Sequence, residues 1–567
     1  MAGVADINAE DGSLPSPASI AGARVGPVAA VSADAEASAR SSSAQSATAV
    51  SPSSTPRAFA PLQGSDLILG TIALSLATFM NVLDTSIANV SIPAIAGDMG
   101  VSPSQGTWVI TSFAVANAIS VPLTGWLTQR FGQVRLFTAS VVLFVIASWL
   151  CGLAPNIGML IAFRVIQGLV AGPMIPLSQT LLLASYPPQK SGTAMAMWAM
   201  TVLVAPVAGP LLGGWITDNI AWPWIFYINI PVGLGAAALT WSIYHKRDPG
   251  PRRTPLDFVG LGLLVLFVGT MQIMVDKGKE LDWFASGQIR ILAVVSAVSF
   301  LFFLAWELTD KHPIVDLRLF GRRNFTAGTL ALSIAYGVVF GNIVLLPLWL
   351  QQYMGYTATW AGMATAPVGI LAIILSPWVG KRINVYDPRK LATVAFIGFG
   401  LVLLMRSHFN VQADYWTILV PTVLQGAAMA FFFIPLQAIV FSGLTPDRMP
   451  SAAGLSNFVR ITAGAIGTSL FTTVWENRAA LHHAQLAEAI NRGSDTAMLT
   501  IDQMTAGGLS RDQALASINR IIDQQAYTMA ATDLFYLSSI LFFLLIALIW
   551  LAKPKRGAAA VAKGGAH

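Results

Sequence analysis

Apolar residues in this chain gather into long runs, each closed by a charge, a Pro or a Gly. The runs fall near residues 67–92, 105–128, 134–153, 157–184, 191–217, 222–244, 256–276, 287–308, 325–353, 357–380, 389–406, 414–443, 450–475 and 532–552. A helix needs about 20 predominantly apolar residues to cross a bilayer, so the pattern predicts an all-α membrane protein with fourteen transmembrane helices. An even number returns both termini to one side. With the amino terminus inside, the inner loops and carboxyl tail hold 20 Lys and Arg, including Lys246, Arg247, Arg252 and Arg253, and Lys381, Arg382, Arg389 and Lys390. The short outer loops hold four. Short cytoplasmic loops carry the excess of positive charge, so both termini are expected in the cytoplasm.

Two segments depart from this pattern. Residues 1–64 are rich in Ala, Ser and Pro and lack a run long enough for a signal-peptide core; they read as a disordered cytoplasmic tail, as does the short tail 557–567. Residues 476–531, between helices 13 and 14 and outside, are polar with two helical patterns. The second opens with a capping box, Ser510 and Gln513, before an apolar stripe of Leu515, Ile518 and Ile522. The stripe needs a surface to lie on: its partner helix, the bilayer or another protein.

Composition agrees. Of 567 residues 55% are apolar and 11% charged, with mean hydropathy +0.65, against about 25% charged in soluble domains. The net charge of +6 belongs to the loops and gives no reason to invoke nucleic acid. Cys151 is the sole cysteine, so no intramolecular disulfide forms; it reads as a small buried hydrophobe. All six His fall in loops or the tail, and His482-His483 with Glu488 reads as a solvated helix face. No P-loop, cofactor motif or metal site appears, and no nucleophile and base stand together near an interface as an enzyme would need.

Short strings recur. Trp126-x-x-x-Arg130 after helix 2 returns as Trp378-x-x-x-Arg382 after helix 10, and Gln167-Gly168 with Pro176-Leu177-Ser178-Gln179 in helix 4 returns as Gln425-Gly426 with Pro435-Leu436-Gln437 in helix 12. Two matches at nearly one offset, pairing helix n with n+8, indicate duplicated six-helix halves with two helices inserted between them. The expected organisation is a bundle over 65–250, an inserted pair over 251–312 and a second bundle over 313–556 that includes the loop 476–531: six plus two plus six.

Ionisable groups inside a bilayer cost about 2.5–3.5 kcal/mol each on insertion scales, and those present usually face a cavity. Helix 1 carries Asn81, Asp84, Thr85 and Asn89 on one face, and helix 4 carries Arg164 and Gln167 on one face. Asp84 and Arg164 lie roughly 10–12 Å below the outer surface at 1.5 Å per residue, level enough to pair. A neighbouring arginine favours the charged carboxylate and dehydration the neutral one, so a cavity that opens and closes would make Asp84 take up and release a proton. The alternative is a purely structural tie. Asn457 and Arg460 share a face of helix 13 near mid-membrane; Arg460 either lines the cavity or caps carbonyls of broken helices. Asp533 reads as the N-cap of helix 14, and Glu307 as an interfacial anchor. In helix 5, Gly209, Pro210, Gly213 and Gly214 allow close approach and bending, as tight packing or as a pivot and seal between the halves.

At these motifs the chain resembles the major facilitator superfamily, specifically its fourteen-helix drug:proton antiporters of the EmrB and QacA type. The resemblance covers about 66–555. It rests on Leu83-Asp84-Thr85-Ser86-Ile87-Ala88-Asn89-Val90-Ser91-Ile92-Pro93, on Arg164-x-x-Gln167-Gly168, on Gly209-Pro210-x-x-Gly213-Gly214 and on Trp224-Ile225-Phe226-Tyr227-Ile228-Asn229-Ile230-Pro231. The segment Gly125 to Gly132, with Arg130, is similar to the superfamily's gating loop, but Gln129 stands where an acidic residue is usual. The resemblance implies a multi-pass protein of a bacterial inner membrane that exports small hydrophobic, weakly acidic or uncoupler-like drugs in exchange for protons. It also implies an EmrA-type periplasmic adaptor and a TolC-type outer-membrane channel. Asp84 and Arg164 are then expected to couple the proton, Asn81, Asn89, Gln167, Asn457 and Arg460 to line the cavity, with Met429, Phe431, Phe432 and Phe433 as its apolar wall or as lipid-facing filler, and Arg130, Gly209, Pro210, Gly213 and Gly214 to gate it. A dedicated exporter of one metabolite or siderophore is the rival on the same fold. A non-transporting receptor or scaffold would have no use for Asp84, Arg164 and Arg460.

Overall fold

The computed structural model describes residues 60–248, 255–488, 490 and 494–554. The tails 1–59 and 557–567 and the loop residues Arg252 and Arg253 lie outside these. No strand occurs among the described residues. The long helices are α1 (Gly64–Asp98), α2 (Trp108–Phe131), α3 (Gln133–Gly152), α4 (Ile157–Ser185), α5 (Ser191–Asn219), α6 (Trp224–Arg247), α7 (Phe258–Lys277), α8 (Gly287–Thr309), α9 (Arg323–Gln352), α10 (Trp360–Arg382), α11 (Pro388–Arg406), α12 (Tyr415–Val440), α13 (Met449–Glu488) and α14 (Arg511–Trp550). Among the described residues, twelve of them are long and apolar enough to cross a membrane.

Caps and prolines set the local breaks. Asn156, Asp257, Asp414 and Ser510 each accept a backbone N–H at the start of α4, α7, α12 and α14. Within α4 the helix breaks at Gly172-Pro173. Pro173 has no N–H for the Leu169 carbonyl, which instead accepts the Ser120 hydroxyl of α2 at 2.5 Å.

α1 packs on α5, α6 and the second half of α4, and α3 on α4 and α6; α9 packs on α13, α12 and α14, and α11 on α12 and α14. Gly209 and Gly213 of α5 meet α1 so closely that a Cβ on Gly209 would collide with Ser86. The small-residue face therefore packs inside the first bundle and is not the seal between halves that sequence reading entertained. Gly214 has open space around it, and the Pro210 side chain lies outside the described residues. α7 and α8 pack on each other, and α7 rests on α2 and α13. Ile291, Val294, Leu301 and Phe302 of α8 stay 62–66% exposed, a surface suited to lipid.

The two bundles meet at the end that carries the basic loops. α5 crosses α10 with Gly192 against the carbonyl of Gly380, and α2 crosses α13 with Gly125 against Ser451; a Cβ on any of these three glycines would collide. Asn384 donates to the Gln189 carbonyl across the junction at 2.7 Å. A Gly380→Val variant is expected to hold this end apart. A cysteine at position 457, buried here, should then react with a thiol reagent added from that end; unchanged protection would show that the junction yields elsewhere.

The segment beyond residue 475 differs from expectation. α13 continues to Glu488 and α14 begins at Arg511, because no Pro or Gly interrupts either helix there. Asp533 thus lies mid-helix and caps nothing. It accepts Arg478 Nη2 at 2.6 Å and pairs with His482 at 2.8 Å, while His483 pairs with Asp523 at 2.8 Å, so the two His cross-link α13 and α14 and are not a solvated face. The capping box at Ser510 is present. Ile518 and Ala514 pack on Ile501 of a short helix, Asp495–Ala506, so the stripe covers its own partner; Leu515 remains exposed. Glu307 is fully buried and accepts the Val315 N–H at 3.1 Å, a tie to the following loop and not an interfacial anchor.

Candidate functional site

Asp84 is 2% exposed in the middle of the first bundle. Arg164 Nη1 lies 2.6 Å from its Oδ2, and its Oδ1 accepts from Gln167 Nε2 at 3.1 Å and from Asn229 Nδ2 at 2.8 Å. α1, α4 and α6 are thereby joined at one carboxylate, and α3 joins through Ser148, whose hydroxyl accepts Gln167 Nε2 at 2.7 Å and Asn229 Nδ2 at 3.4 Å. Arg164 is fixed further by its Nε bond to the Val109 carbonyl at 3.0 Å and by Nη1 to Gln167 Oε1 at 2.6 Å. Its guanidinium stands 4.2 Å from the Phe113 ring centre and 5.6 Å from that of Phe226, contacts that favour a cation most where water is excluded.

All three groups that touch Asp84 are donors. Ionised, the carboxylate satisfies every one. A proton on either oxygen adds a donor that none of these three groups accepts and removes the charge that pairs with Arg164, so the neutral acid holds α1, α4 and α6 together less strongly. A buried carboxylate is affordable only while paired. The charge on this one group thus bears on the packing of three helices.

A second polar group joins the two bundles. Asn457 Nδ2 of α13 donates to Gln179 Oε1 of α4 at 3.1 Å, and Arg460 Nη2 donates to Asn457 Oδ1 at 2.8 Å. Arg460 is 2% exposed, lies 4.5 Å from the Tyr336 ring centre and 5.8 Å from that of Phe433, and its Nε and Nη1 make no hydrogen bond. No ion pair holds Arg460 among the described residues. Trp198 packs edge-on against Phe433, and its indole N–H is likewise buried without a partner, as is the side-chain amide of Gln437. Asn457 and Arg460 thus form a polar, aromatic-walled pair between the halves, and Arg460 caps no broken-helix carbonyl. Phe432, Phe433 and Met429 are buried here, whereas Phe431 is partly buried against Trp378.

The other expected residues separate. Asn81 is buried and donates to the Ala171 carbonyl at 3.1 Å, where α4 breaks. Gln167 is fully buried and belongs to the Asp84 network. Asn89 is exposed and stands outside both groups, and Arg130 is exposed in the last turn of α2. Where Gln129 replaces an acid, Asp248 supplies one from the loop after α6: its carboxylate accepts the Gln133 and Arg135 N–H groups at 3.2 Å each, against Gly132 with φ +87°, a position no side chain could share. Sequence reasoning missed Asn229, Ser148, Phe113 and Phe226. Asn229 and Phe226 stood in the quoted 224–231 motif, but nothing there directed either toward Asp84.

Residues 74–468 match the family model of the Major Facilitator Superfamily. The Multidrug export protein EmrB of Escherichia coli strain K12 is 52% identical over 508 residues, which are 89% of this chain and 99% of that protein. The Fatty acid resistance protein FarB of Neisseria gonorrhoeae is 50% identical over 88% of this chain and 98% of its own. The crystal structure of the human organic anion transporter MFSD10 aligns with a TM-score of 0.54 over 86% of this chain and all of that one, at 14% identity, a likeness of fold. The chain belongs to the Major Facilitator Superfamily, in its EmrB-type branch.

Proposed function

We propose that this protein exports hydrophobic drugs from the cytoplasm across a bacterial inner membrane, one membrane-crossing proton entering as drug leaves. The observation that carries the reading is Asp84: buried, paired with Arg164 and surrounded by donors only, it cannot change charge without loosening the bundle. In this reading α1–α6 and α9–α14 are the two moving halves, α7 and α8 the inserted pair, and all fourteen helices cross the bilayer, with α5 and α13 at 29 and 40 residues. Both termini are cytoplasmic, so the glycine junction at the basic end closes the cytoplasmic side. Protonation from outside breaks the Asp84 ties and lets that junction open; drug binding inside and proton release restore them. The gradient supplies about 2.3 kcal/mol per proton per 100 mV, and no cofactor is required. The helical hairpin of α13, the short helix and α14 stands on the outer side, where an EmrA-type adaptor leading to a TolC-type channel would meet it.

Arg460, with two N–H groups unpartnered and aromatic rings on either side, receives the acidic end of a weakly acidic drug. Replacing it by Gln is expected to lower export of carboxylate-bearing drugs about 10-fold or more, the loss of a charge-assisted bond worth about 1.5–3 kcal/mol, while neutral drugs are exported as before. Dose-dependent growth protection by the native chain and the Arg460→Gln variant measures this. The likeness to FarB favours amphiphilic carboxylates as a second, narrower reading; competition by fatty acids alone, and by no other drug, would establish it. The primary reading is tested in inverted vesicles, where collapsing the proton gradient should stop drug uptake. Uptake that continues without a gradient would refute it.

A further inference from the structure

The spacing of 258 residues that links Gln167 to Gln425 links the whole coupling site to a second set of residues. It carries Asp84 to Asn342, Ser148 to Arg406, Arg164 to Thr422 and Gly168 to Gly426. These lie on α9, α11 and α12, the counterparts of α1, α3 and α4, and the local packing repeats. A Cβ on Gly168 would strike the Phe113 carbonyl of α2, and one on Gly426 the Val368 carbonyl of α10. In the first bundle α6 reaches the α1 residue through Asn229; in the second, Asn342 Nδ2 donates to Ser538 Oγ of α14 at 3.2 Å.

The charges differ. Asn342, Arg406, Thr422 and Gln425 are all buried, at 1%, 1%, 2% and 5% exposure, yet the set contains no acid. The cation has moved from the α4-type position to the α3-type position, where Arg406 Nη2 donates to Thr422 Oγ1 at 3.1 Å. No ion pair holds Arg406 among the described residues, and Arg406 Nε and Asn342 Oδ1 are both buried without a hydrogen bond. A buried cation with no counter-ion is costly, and an acceptor left open at the position of Asp84 is where a carboxylate would stand.

We propose that this set is a second copy of the coupling site that keeps its frame and its cation but has lost its acid, so that Asn342 limits the transporter to one proton per cycle. The inference rests on Asp84 as the proton carrier. An acid restored at position 342 would take a proton from the outer side and release it inward, as Asp84 does, with the buried Arg406 as the cation of the same set.

The test uses the full chain in proteoliposomes, with Asn342→Asp and, as a control adding no acid, Asn342→Ala. Infrared difference spectra between low and high pH count protonatable buried carboxyls; Asn342→Asp should add a band that Asn342→Ala lacks. The ratio of protons to radiolabelled quinolone carboxylate moved should be one in the native chain and in Asn342→Ala, and two in Asn342→Asp. At one pH unit of gradient and zero potential, the drug ratio held at equilibrium should then rise from about 10-fold to about 100-fold. A ratio of two in the native chain overturns the proposal. So does a folded Asn342→Asp protein without the added band, or one with native stoichiometry. Asp84→Asn separates the two readings: retained coupling there removes Asp84 as carrier, whereas the band and the ratio at position 342 judge the second site alone.

Discussion

Asp84→Asn will export no drug above the leak of empty membranes while inserting and folding as the native chain does. The amide has the size of the carboxyl, so no cavity opens, and its oxygen still accepts one bond. Its NH₂ then faces either the Arg164 guanidinium or the amides of Gln167 and Asn229, all donors. The variant is thus fixed in the arrangement that protonation produces, with the ties among α1, α4 and α6 loosened, and it has no proton to release. Growth protection in cells and thermal unfolding in detergent check the two halves of this expectation. Lost export with a single cooperative unfolding transition, lowered because the buried Arg164 has no counter-ion, is the predicted pair.

Arg164→Gln will have the largest effect on stability. It leaves Asp84 charged, 2% exposed and without its counter-ion, and removing one partner of a buried pair costs about 3–5 kcal/mol. The cation between Phe113 and Phe226 goes as well, a further contribution of about 2 kcal/mol where water is excluded. The double variant Asp84→Asn with Arg164→Gln buries no charge at all and should recover most of the first loss, a non-additivity expected of groups in contact. Thermal unfolding of the native chain, the two single variants and the double variant measures it. Equal losses in the single and double variants would mean that the guanidinium acts by packing alone.

The sequence carried the helices and the Asp84–Arg164 pair because both follow from hydrophobic runs and from the cost of charge in hydrocarbon. Level depth on two helices is enough to propose one contact. It cannot say which other helices reach that point, so Asn229 and Ser148 were invisible: a single polar residue in an apolar run carries no direction. Arg406 was passed over because it closes a run, where arginine normally reaches for the interface, yet the packing of α11 on α12 buries it. The hydropathy pattern starts helix 14 at Asp533 because it ends where water begins, whereas a helix ends only where caps or breakers end it; between Ser510 and Asp533 the chain offers none. Face periodicity places Asn89 with Asn81 and Asp84, but only the latter two are buried; Asn89 is exposed.

The central claim, that drug movement is exchanged for a proton at Asp84, is tested most directly by adding a radiolabelled quinolone carboxylate to proteoliposomes of the purified chain and recording proton movement with a trapped pH dye. The account predicts proton movement against the drug in the native protein, in proportion to drug moved, and none in Asp84→Asn. Drug transport without proton movement in the native protein, or undiminished exchange in the variant, would contradict it.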